Sequence, residues 1–130
     1  MIILTILSIL LILLSGIAKA ICDVSSTNGS NDKLSSLKQT YWRKSVSSVN
    51  KWKNGDPKQG ERFLFSSTLL VSLTDAWHLF DVIRDFSFIF SGITLFFIFN
   101  ISGISIWYIL LLYPIKQVIF QIVYSWLREV

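Results

Sequence analysis

Charged and reactive side chains are scarce in this chain. Only 15% of its 130 residues are charged, against about 25% in an average soluble domain. A water-soluble globule of this size would expose more surface than so few charges cover. The single cysteine excludes an internal disulfide. The sequence also has no metal-ligand spacing, dinucleotide fingerprint or paired-carboxylate signature, so we expect no cofactor.

Long apolar runs are what the sequence has instead. Residues 1–20 are predicted to be a signal peptide or a signal anchor, because Ile2 to Ala18 is almost entirely apolar. As a helix this run spans about 25 Å, at the short end for a bilayer crossing. Small residues around Lys19 would permit cleavage after Ala20, but no basic residue precedes the run. Both interpretations stay open, and an anchor would place the N-terminus outside.

A second apolar run covers residues 86–113 without a charged residue. One helix of this length would measure about 42 Å, well beyond a hydrocarbon core of about 30 Å. We therefore predict a transmembrane helical hairpin over 86–130 that turns at Asn100–Gly103. Its arms would pack through three small residues, Ser87, Ser91 and Gly92. The alternative is a single span over 86–113, followed by an interfacial helix from Ile115 to Leu127.

Most of the positive charge lies between these runs, in a basic polar loop over 21–62. Within it, apolar residues recur at helical spacing and predict an amphipathic helix over 38–53. We expect this helix to lie on the membrane and bind anionic headgroups, although it could instead pack its tryptophans onto the protein. The predicted membrane-surface residues are Trp42, Arg43, Lys44, Lys51, Trp52 and Lys53. No nucleic-acid-binding motif accompanies the charge, so nucleic acid is not expected as a partner.

Residues 63–85 are apolar but interrupted by charge, which predicts an interfacial helix leading into the membrane. Asp75 and His78 share one helix face there and could relay a proton or bind a cation, but such residues more often form a polar stripe. A lysine alone in lipid costs several kcal/mol. We therefore predict that Asp85 forms an intramembrane ion pair with Lys116.

Four segments followed by the predicted hairpin give a resemblance to a known group of proteins. They are Tyr41-Trp42-Arg43-Lys44, Asn50-Lys51-Trp52-Lys53, 63–68 and 74–80. Together with the hydrophobic residues up to 127, this pattern resembles small membrane proteins encoded by phages and prophages. The resemblance implies a bacterial membrane setting and carries no known activity.

The sequence as a whole predicts an all-α integral membrane protein, with an N-terminal hydrophobic helix and a C-terminal transmembrane hairpin. We expect a bacterial inner-membrane location and a non-enzymatic scaffold or interaction protein with a basic cytoplasmic face. The expected partners are the lipid bilayer with its anionic headgroups and a second copy of the chain. Two alternatives are a holin-like pore former and a membrane enzyme acting at Asp75 and His78.

Overall fold

The computed structural model describes residues 2–27, 31–102 and 110–129, and within them the chain is helical. An isolated antiparallel bridge between Trp52 and Glu61 is the one β pairing in these ranges. The prediction of an all-α chain is therefore confirmed for the described residues. The helices are α1 (Ile2–Ser26), α2 (Gln39–Trp42), α3 (Lys44–Ser47), α4 (Ala76–Ser102) and α5 (Leu112–Arg128).

α1 and α4 lie side by side and antiparallel. Hydrogen bonds join them at three levels, between Ser8 and Ser91 (3.2 Å between the hydroxyl oxygens), from Ser15 to the carbonyl of Arg84 (2.9 Å) and from Cys22 to the carbonyl of Trp77 (3.5 Å). From one contact to the next, the residue number increases by seven along α1 and decreases by seven along α4. Seven residues are close to two helical turns, so one stripe of each helix forms the whole contact.

α5 packs on the other side of α1 and runs parallel to it. Gly16 marks the close approach, because a Cβ built there would lie 2.8 Å from Cγ2 of Ile119. Further along both helices, Ala20 and Val24 form a small core with Leu127 and with Leu34 from the intervening segment. A glycine lets two helices approach where a larger residue would hold them apart. α1 is therefore the central helix, with α4 and α5 against it.

The C-terminal hairpin of the prediction is not shown. α4 is helical through Asn100 to Ser102, where the turn was expected, and Gly103 lies outside the described residues. Ser91 is buried against α1, and a Cβ at Gly92 would meet nothing within 4 Å. Ser91 and Gly92, which were expected to join the two arms, therefore do not pack against α5. The antiparallel pair is formed by α1 and α4.

The predicted interfacial helix over 63–85 is also wrong in its first half. Residues 63–75 form turns and a 3₁₀ turn at Val71–Leu73, and the helix begins at Ala76. Asp75 explains this start, since its carboxylate accepts the backbone N–H of His78 at 3.0 Å as an N-cap residue does. From Ala76 the helix continues through residues 85 and 86, where the boundary was predicted.

The predicted amphipathic helix over 38–53 is broken into pieces. α2 ends at Trp42, Arg43 adopts extended backbone angles (φ −102°, ψ 120°), and α3 is followed by a 3₁₀ turn at Ser48–Lys51. The break at Arg43 has a physical cause, because its side chain turns inward to bond the end of α1 at Val24. A continuous surface helix would have kept that guanidinium in solvent.

Candidate functional site: a basic cap at one end of the helices

One end of the helical assembly carries a compact basic segment, residues 31–75, which we name the cap. The C-terminal ends of α1 and α5 and the N-terminal end of α4 all meet it, since Arg43 bonds Val24, Lys33 bonds Trp126 and Lys44 lies over the ring of Trp77. The opposite end, formed by 2–14 of α1 and 86–100 of α4, contains no charged side chain. Charge is therefore confined to the cap and the helical turns next to it.

Three basic residues of the cap each contact a different long helix. Arg43 donates to the carbonyl of Val24 at 2.9 Å, near the C-terminus of α1. Lys33 donates to the carbonyl of Trp126 at 2.5 Å in the last turn of α5, and its Nζ lies 4.1 Å from that indole ring. Lys44 places its Nζ 3.3 Å from the centroid of the Trp77 ring in α4. Cations favour helix C-termini and aromatic faces, so these side chains stabilise the assembly.

Arg43 is the most deeply placed of these residues. Only 6% of it is exposed, and its guanidinium lies 2.7 Å from Oδ1 of Asp32, which is 1% exposed. It also bonds the side-chain oxygen of Gln39 at 3.0 Å. The expectation that Arg43 binds lipid headgroups is wrong, because its charge is already paired inside the protein.

The other predicted surface residues divide into two groups. Trp42 packs against the core around Val24 and lies 6.0 Å from the ring of Phe80, in line with the alternative that the tryptophan packs inward. Lys51, Trp52 and Lys53 lie instead on a separate turn of chain that folds back on itself, residues 51–62. That turn is closed by the Trp52–Glu61 bridge and by two bonds, from Lys53 N–H to the Gly60 carbonyl (3.0 Å) and from Arg62 N–H to the Lys51 carbonyl (2.9 Å).

The 51–62 loop has four basic side chains against two acidic ones, a formal charge of +2. Both acids are used within the protein. Asp56 accepts from the backbone N–H of Lys58 at 2.9 Å, and Glu61 accepts from the backbone N–H groups of Phe65 (2.9 Å) and Ser67 (3.1 Å) and from the Ser67 hydroxyl. These bonds, chiefly those from Ser67, lower the pKa of Glu61 below its ordinary value. In this part of the described chain, the side chains of Lys51, Lys53, Lys58 and Arg62 bond no protein group.

Asp75 and His78 are brought together, as the sequence predicts. His78 Nδ1 lies 2.8 Å from Oδ2 of Asp75, which is fully buried. The same carboxylate caps α4 and accepts from the hydroxyl of Thr74 at 3.1 Å, so it has a structural use. Asp81 pairs with Arg84 at 2.7 Å instead of joining them. Within the described ranges no group of three His, Cys, Asp or Glu side chains could hold a metal ion.

The predicted ion pair between Asp85 and Lys116 is replaced by other direct contacts. Asp85 bonds Nε of its neighbour Arg84 at 2.8 Å, and Arg84 also holds Asp81. The side chain of Lys116 places its Nζ 4.4 Å from the ring centroid of Phe88. Arg84 adjoins Asp85 in sequence, so this pair does not depend on how α4 and α5 are aligned. Lys116 contacts an aromatic ring instead of a carboxylate.

No family model, curated protein or solved structure matches this chain. The resemblance to phage-encoded membrane proteins therefore stays a prediction. Sequence reasoning also missed two features of the site. The Asp32–Arg43 pair joins residues without any periodic relation, whereas the Asp75 cap had a readable signal, an acidic residue directly before a helical apolar run.

Proposed function

We propose that this chain is a small integral membrane protein in which α1 and α4 cross the bilayer as an antiparallel pair. In this proposal the cap faces the cytoplasm and works without catalysis, as a docking surface for an anionic partner. Both α1 and α4 are long and apolar enough to span a membrane. The first 20 residues act as an uncleaved anchor, and the N-terminus lies on the side opposite to the cap.

One observation carries the proposal. Small polar side chains lie between α1 and α4, and large apolar side chains lie on the outer faces of the pair, the reverse of a water-soluble protein. The side chains between α1 and α4 include Ser8, Ser15 and Ser91, which are at most 1% exposed. Large apolar side chains point away from the partner helix, with Ile3 80% exposed on α1 and Phe97 56% exposed on α4. In water such a face would be strongly unfavourable, whereas lipid accepts it and small polar residues join helices there.

The dimensions agree with a bilayer. From Phe86 to Ser102 the helix α4 spans about 26 Å without a charged side chain, close to a hydrocarbon core of about 30 Å. At the cap side of this stretch lies a row of charged groups formed by Lys19, Asp81, Arg84 and Lys116. Since the basic residues lie in this row, in the cap or, for Arg128, in the last turn of α5, the excess of positive charge favours a cytoplasmic cap.

The retention of α1 is supported by its packing. Ala18 and Ala20 are fully buried inside a continuous helix, so the small residues around the possible cleavage position are covered. Removal of residues 1–20 would also take away Ser8 and Ser15, which bond α4. We expect the intact chain, not a processed one, to be found in the membrane.

The position of the 51–62 loop favours a soluble partner over lipid. Asn50, at the base of the loop, donates to the carbonyl of Thr74 at 3.0 Å, just before α4 begins. Thr74 precedes the charged pair Asp81–Arg84 by 7–10 residues, a rise of about 10–15 Å. The headgroup layer is about 5–8 Å thick on each side. The loop would therefore stand in the aqueous compartment, beyond the headgroups of the membrane that holds α1 and α4.

Topology is the direct test. On a Cys22→Ala background, single cysteines replace Asn31, Asn100 or Glu129, which are all exposed. A membrane-impermeant maleimide applied to intact cells should label position 100, and positions 31 and 129 should react only after permeabilisation. Labelling of positions 31 and 100 from the same side would overturn the crossing arrangement. Recovery of the chain in the supernatant of a high-speed spin without detergent would overturn the membrane location itself.

The holin-like alternative is separated by dye release from liposomes. Within the described residues, the α1–α4 contact is filled by side chains that touch one another, such as Ser8 and Ser91. A single copy therefore presents no lumen there, and we expect reconstituted liposomes to retain a trapped dye. Rapid release of the dye at a low ratio of protein to lipid would contradict the docking function and support pore formation.

A further inference from the structure

The base of the 51–62 loop contains a cavity of about 340 Å³ that none of the features above uses. Six residues line it, Val49, Asn50, Trp52, Asn54, Gly55 and Arg62. Pockets for small molecules occupy about 300–1,000 Å³, so this one is at the lower end of that range. It combines one cation and one aromatic wall with polar groups that can fix an orientation.

The hydrogen bonds around the cavity indicate what it can accept. The amide nitrogen of Asn50 donates to the carbonyls of Thr40 (2.5 Å) and Thr74 (3.0 Å), and that of Asn54 donates to Gln59 Oε1 at 2.9 Å. With both amide nitrogens engaged, the amide oxygens are left to accept hydrogen bonds from a ligand. Arg62 supplies up to five N–H donors in a planar fork, a geometry that suits phosphate.

The charge around the cavity favours an anion. Asp56 and Glu61, the two acids of the loop, accept from backbone N–H groups and form no ion pair with the loop cations in the described structure, and the loop keeps a formal charge of +2. Lys51 and Lys53 adjoin the lining residues in sequence and add positive charge. Aromatic side chains such as Trp52 offer a face on which a planar ring can stack.

We infer that this cavity binds a small organic phosphate of mononucleotide size, with the phosphate on Arg62, a planar ring against Trp52, and ligand hydroxyl or amino groups donating to Asn50 and Asn54. The inference deepens the proposed function by giving the chemistry of the anionic partner. It depends on that function only in requiring that the cap faces an aqueous compartment. The phosphate could come from a soluble ligand or from the headgroup of a lipid in another membrane.

The experiment uses the full chain in nanodiscs of neutral phosphatidylcholine, with adenosine 5′-monophosphate as the probe. Binding is followed by the NMR resonances of the Trp52 indole and the Arg62 guanidinium. We expect a saturable shift with a dissociation constant of about 1 mM or below, and no comparable shift with adenosine, which lacks the phosphate. Arg62→Gln should weaken binding about tenfold or more, as loss of a charge-assisted hydrogen bond predicts.

Two matched variants identify the cavity as the site. Lys58→Gln removes a charge from the same loop but not from the lining, and it should change affinity by less than about threefold. Trp52→Leu should weaken the nucleotide and leave inorganic phosphate unchanged. Equal effects of Arg62→Gln and Lys58→Gln would mean diffuse attraction by the loop and would overturn the inference. Equal shifts with adenosine would overturn it as well, and so would no shift at roughly 10 mM nucleotide combined with no Arg62-dependent binding of phosphatidic-acid vesicles.

A second arm distinguishes the two phosphate sources. Vesicles containing phosphatidic acid are mixed with the nanodiscs, and co-sedimentation is compared for the parent chain and Arg62→Gln. Arginine-dependent binding of the vesicles but not of the nucleotide keeps the phosphate site and assigns it to a lipid headgroup. Loss of both, with the maleimide labelling pattern intact, refutes the cavity alone and leaves the proposed membrane topology in place. The reverse result, binding with a changed labelling pattern, refutes the topology alone.

Discussion

Replacing Arg43 by methionine should destabilise this protein more than any other change of a single charge in the cap. Methionine keeps much of the apolar volume of the arginine side chain and removes the guanidinium. That group is paired with Asp32 at 2.7 Å and bonds the carbonyl of Val24 at 2.9 Å. The change therefore releases the end of α1 from the cap and leaves a carboxylate at a site where Asp32 is 1% exposed.

The magnitude follows from these two losses. Breaking a buried ion pair from one side costs about 3–5 kcal/mol, because the remaining charge stays buried without its partner. A lost hydrogen bond to the helix-end carbonyl adds about 1 kcal/mol. We expect Arg43→Met to lower the free energy of unfolding by about 4–6 kcal/mol in total. The double variant Asp32→Leu/Arg43→Met also removes the buried carboxylate and, although it loses the bond from the Leu34 backbone N–H (3.0 Å), should recover about 1 kcal/mol or more of that loss.

The measurement is the free energy of unfolding in a mild detergent, from denaturant titrations followed by tryptophan fluorescence. Arg62→Met is the matched control, since Arg62 is exposed and its side chain bonds no protein group in the described structure. The control should change the free energy by no more than about 0.5 kcal/mol. The reasoning fails if the two arginine variants cost the same, or if the double variant is less stable than Arg43→Met.

Three further predictions follow from the helix contacts and the Glu61 site. Gly16→Ala should cost about 1–3 kcal/mol, because its Cβ would lie 2.8 Å from a side-chain carbon of α5; detergent unfolding reports this. With Cys22 replaced, cysteines at Ser8 and Ser91 should form a disulfide on mild oxidation, since the hydroxyl oxygens are 3.2 Å apart; gel mobility of a protease-nicked chain reports this. The lowered pKa of Glu61 means that its bonds stabilise the folded state above its unfolded pKa of about 4.5 and are lost as pH falls through the folded value; the protection of the 65–67 amides against hydrogen exchange, relative to their intrinsic rate at each pH, should therefore fall in acid.

Each of these predictions has a control on the same chain. Gly92→Ala meets nothing within 4 Å and should be neutral or slightly stabilising, so a large loss there would contradict the contact map of α4. A cysteine pair at Ser8 and Asn100 should not cross-link, because Asn100 is exposed and lies nine residues beyond Ser91. Glu61→Gln should lower the protection of the 65–67 amides against hydrogen exchange at neutral pH. It should also remove the dependence of that protection on acid pH. An unchanged acid dependence would assign the titration to another group.

The two long helices could be predicted from the sequence because the evidence for them is local. Ile2–Ser26 and Ala76–Ser102 are dominated by apolar residues, and a run of that length in a chain with 15% charge has few other uses. The stripe joining them was also readable in principle, since Ser8, Ser15 and Cys22 recur every seven positions within an aliphatic run. Its partner residues could not be read, because antiparallel pairing with Ser91 depends on where the intervening chain turns.

The extent of α4 was harder to predict for an electrostatic reason. Asp81, Arg84 and Asp85 interrupt the apolar pattern, which indicated a boundary at residue 85. In the structure Arg84 bonds both carboxylates, at 2.7 Å and 2.8 Å, from the same helical turns. The Asp81–Arg84 pair, at i,i+3 spacing, supports a helix, so these charges lie within α4 where the sequence had suggested that the helix ends.

The same reasoning explains why the basic segment could be recognised by its composition but not assigned residue by residue. Arg43, Lys44 and Lys51 look alike in a pattern of charge and tryptophan, yet tertiary contacts commit the first two to helix ends and leave Lys51 in the open loop. The two groups should therefore respond differently to substitution. Arg43→Met should lower the free energy of unfolding while the folded fraction still binds nucleotide, and Arg62→Gln should weaken that binding about tenfold or more in a protein of unchanged stability. If one variant lowered both the stability and the affinity for nucleotide, the cap would be a single cooperative unit. Its contacts with the helices and its nucleotide site could then not be separated by substitution.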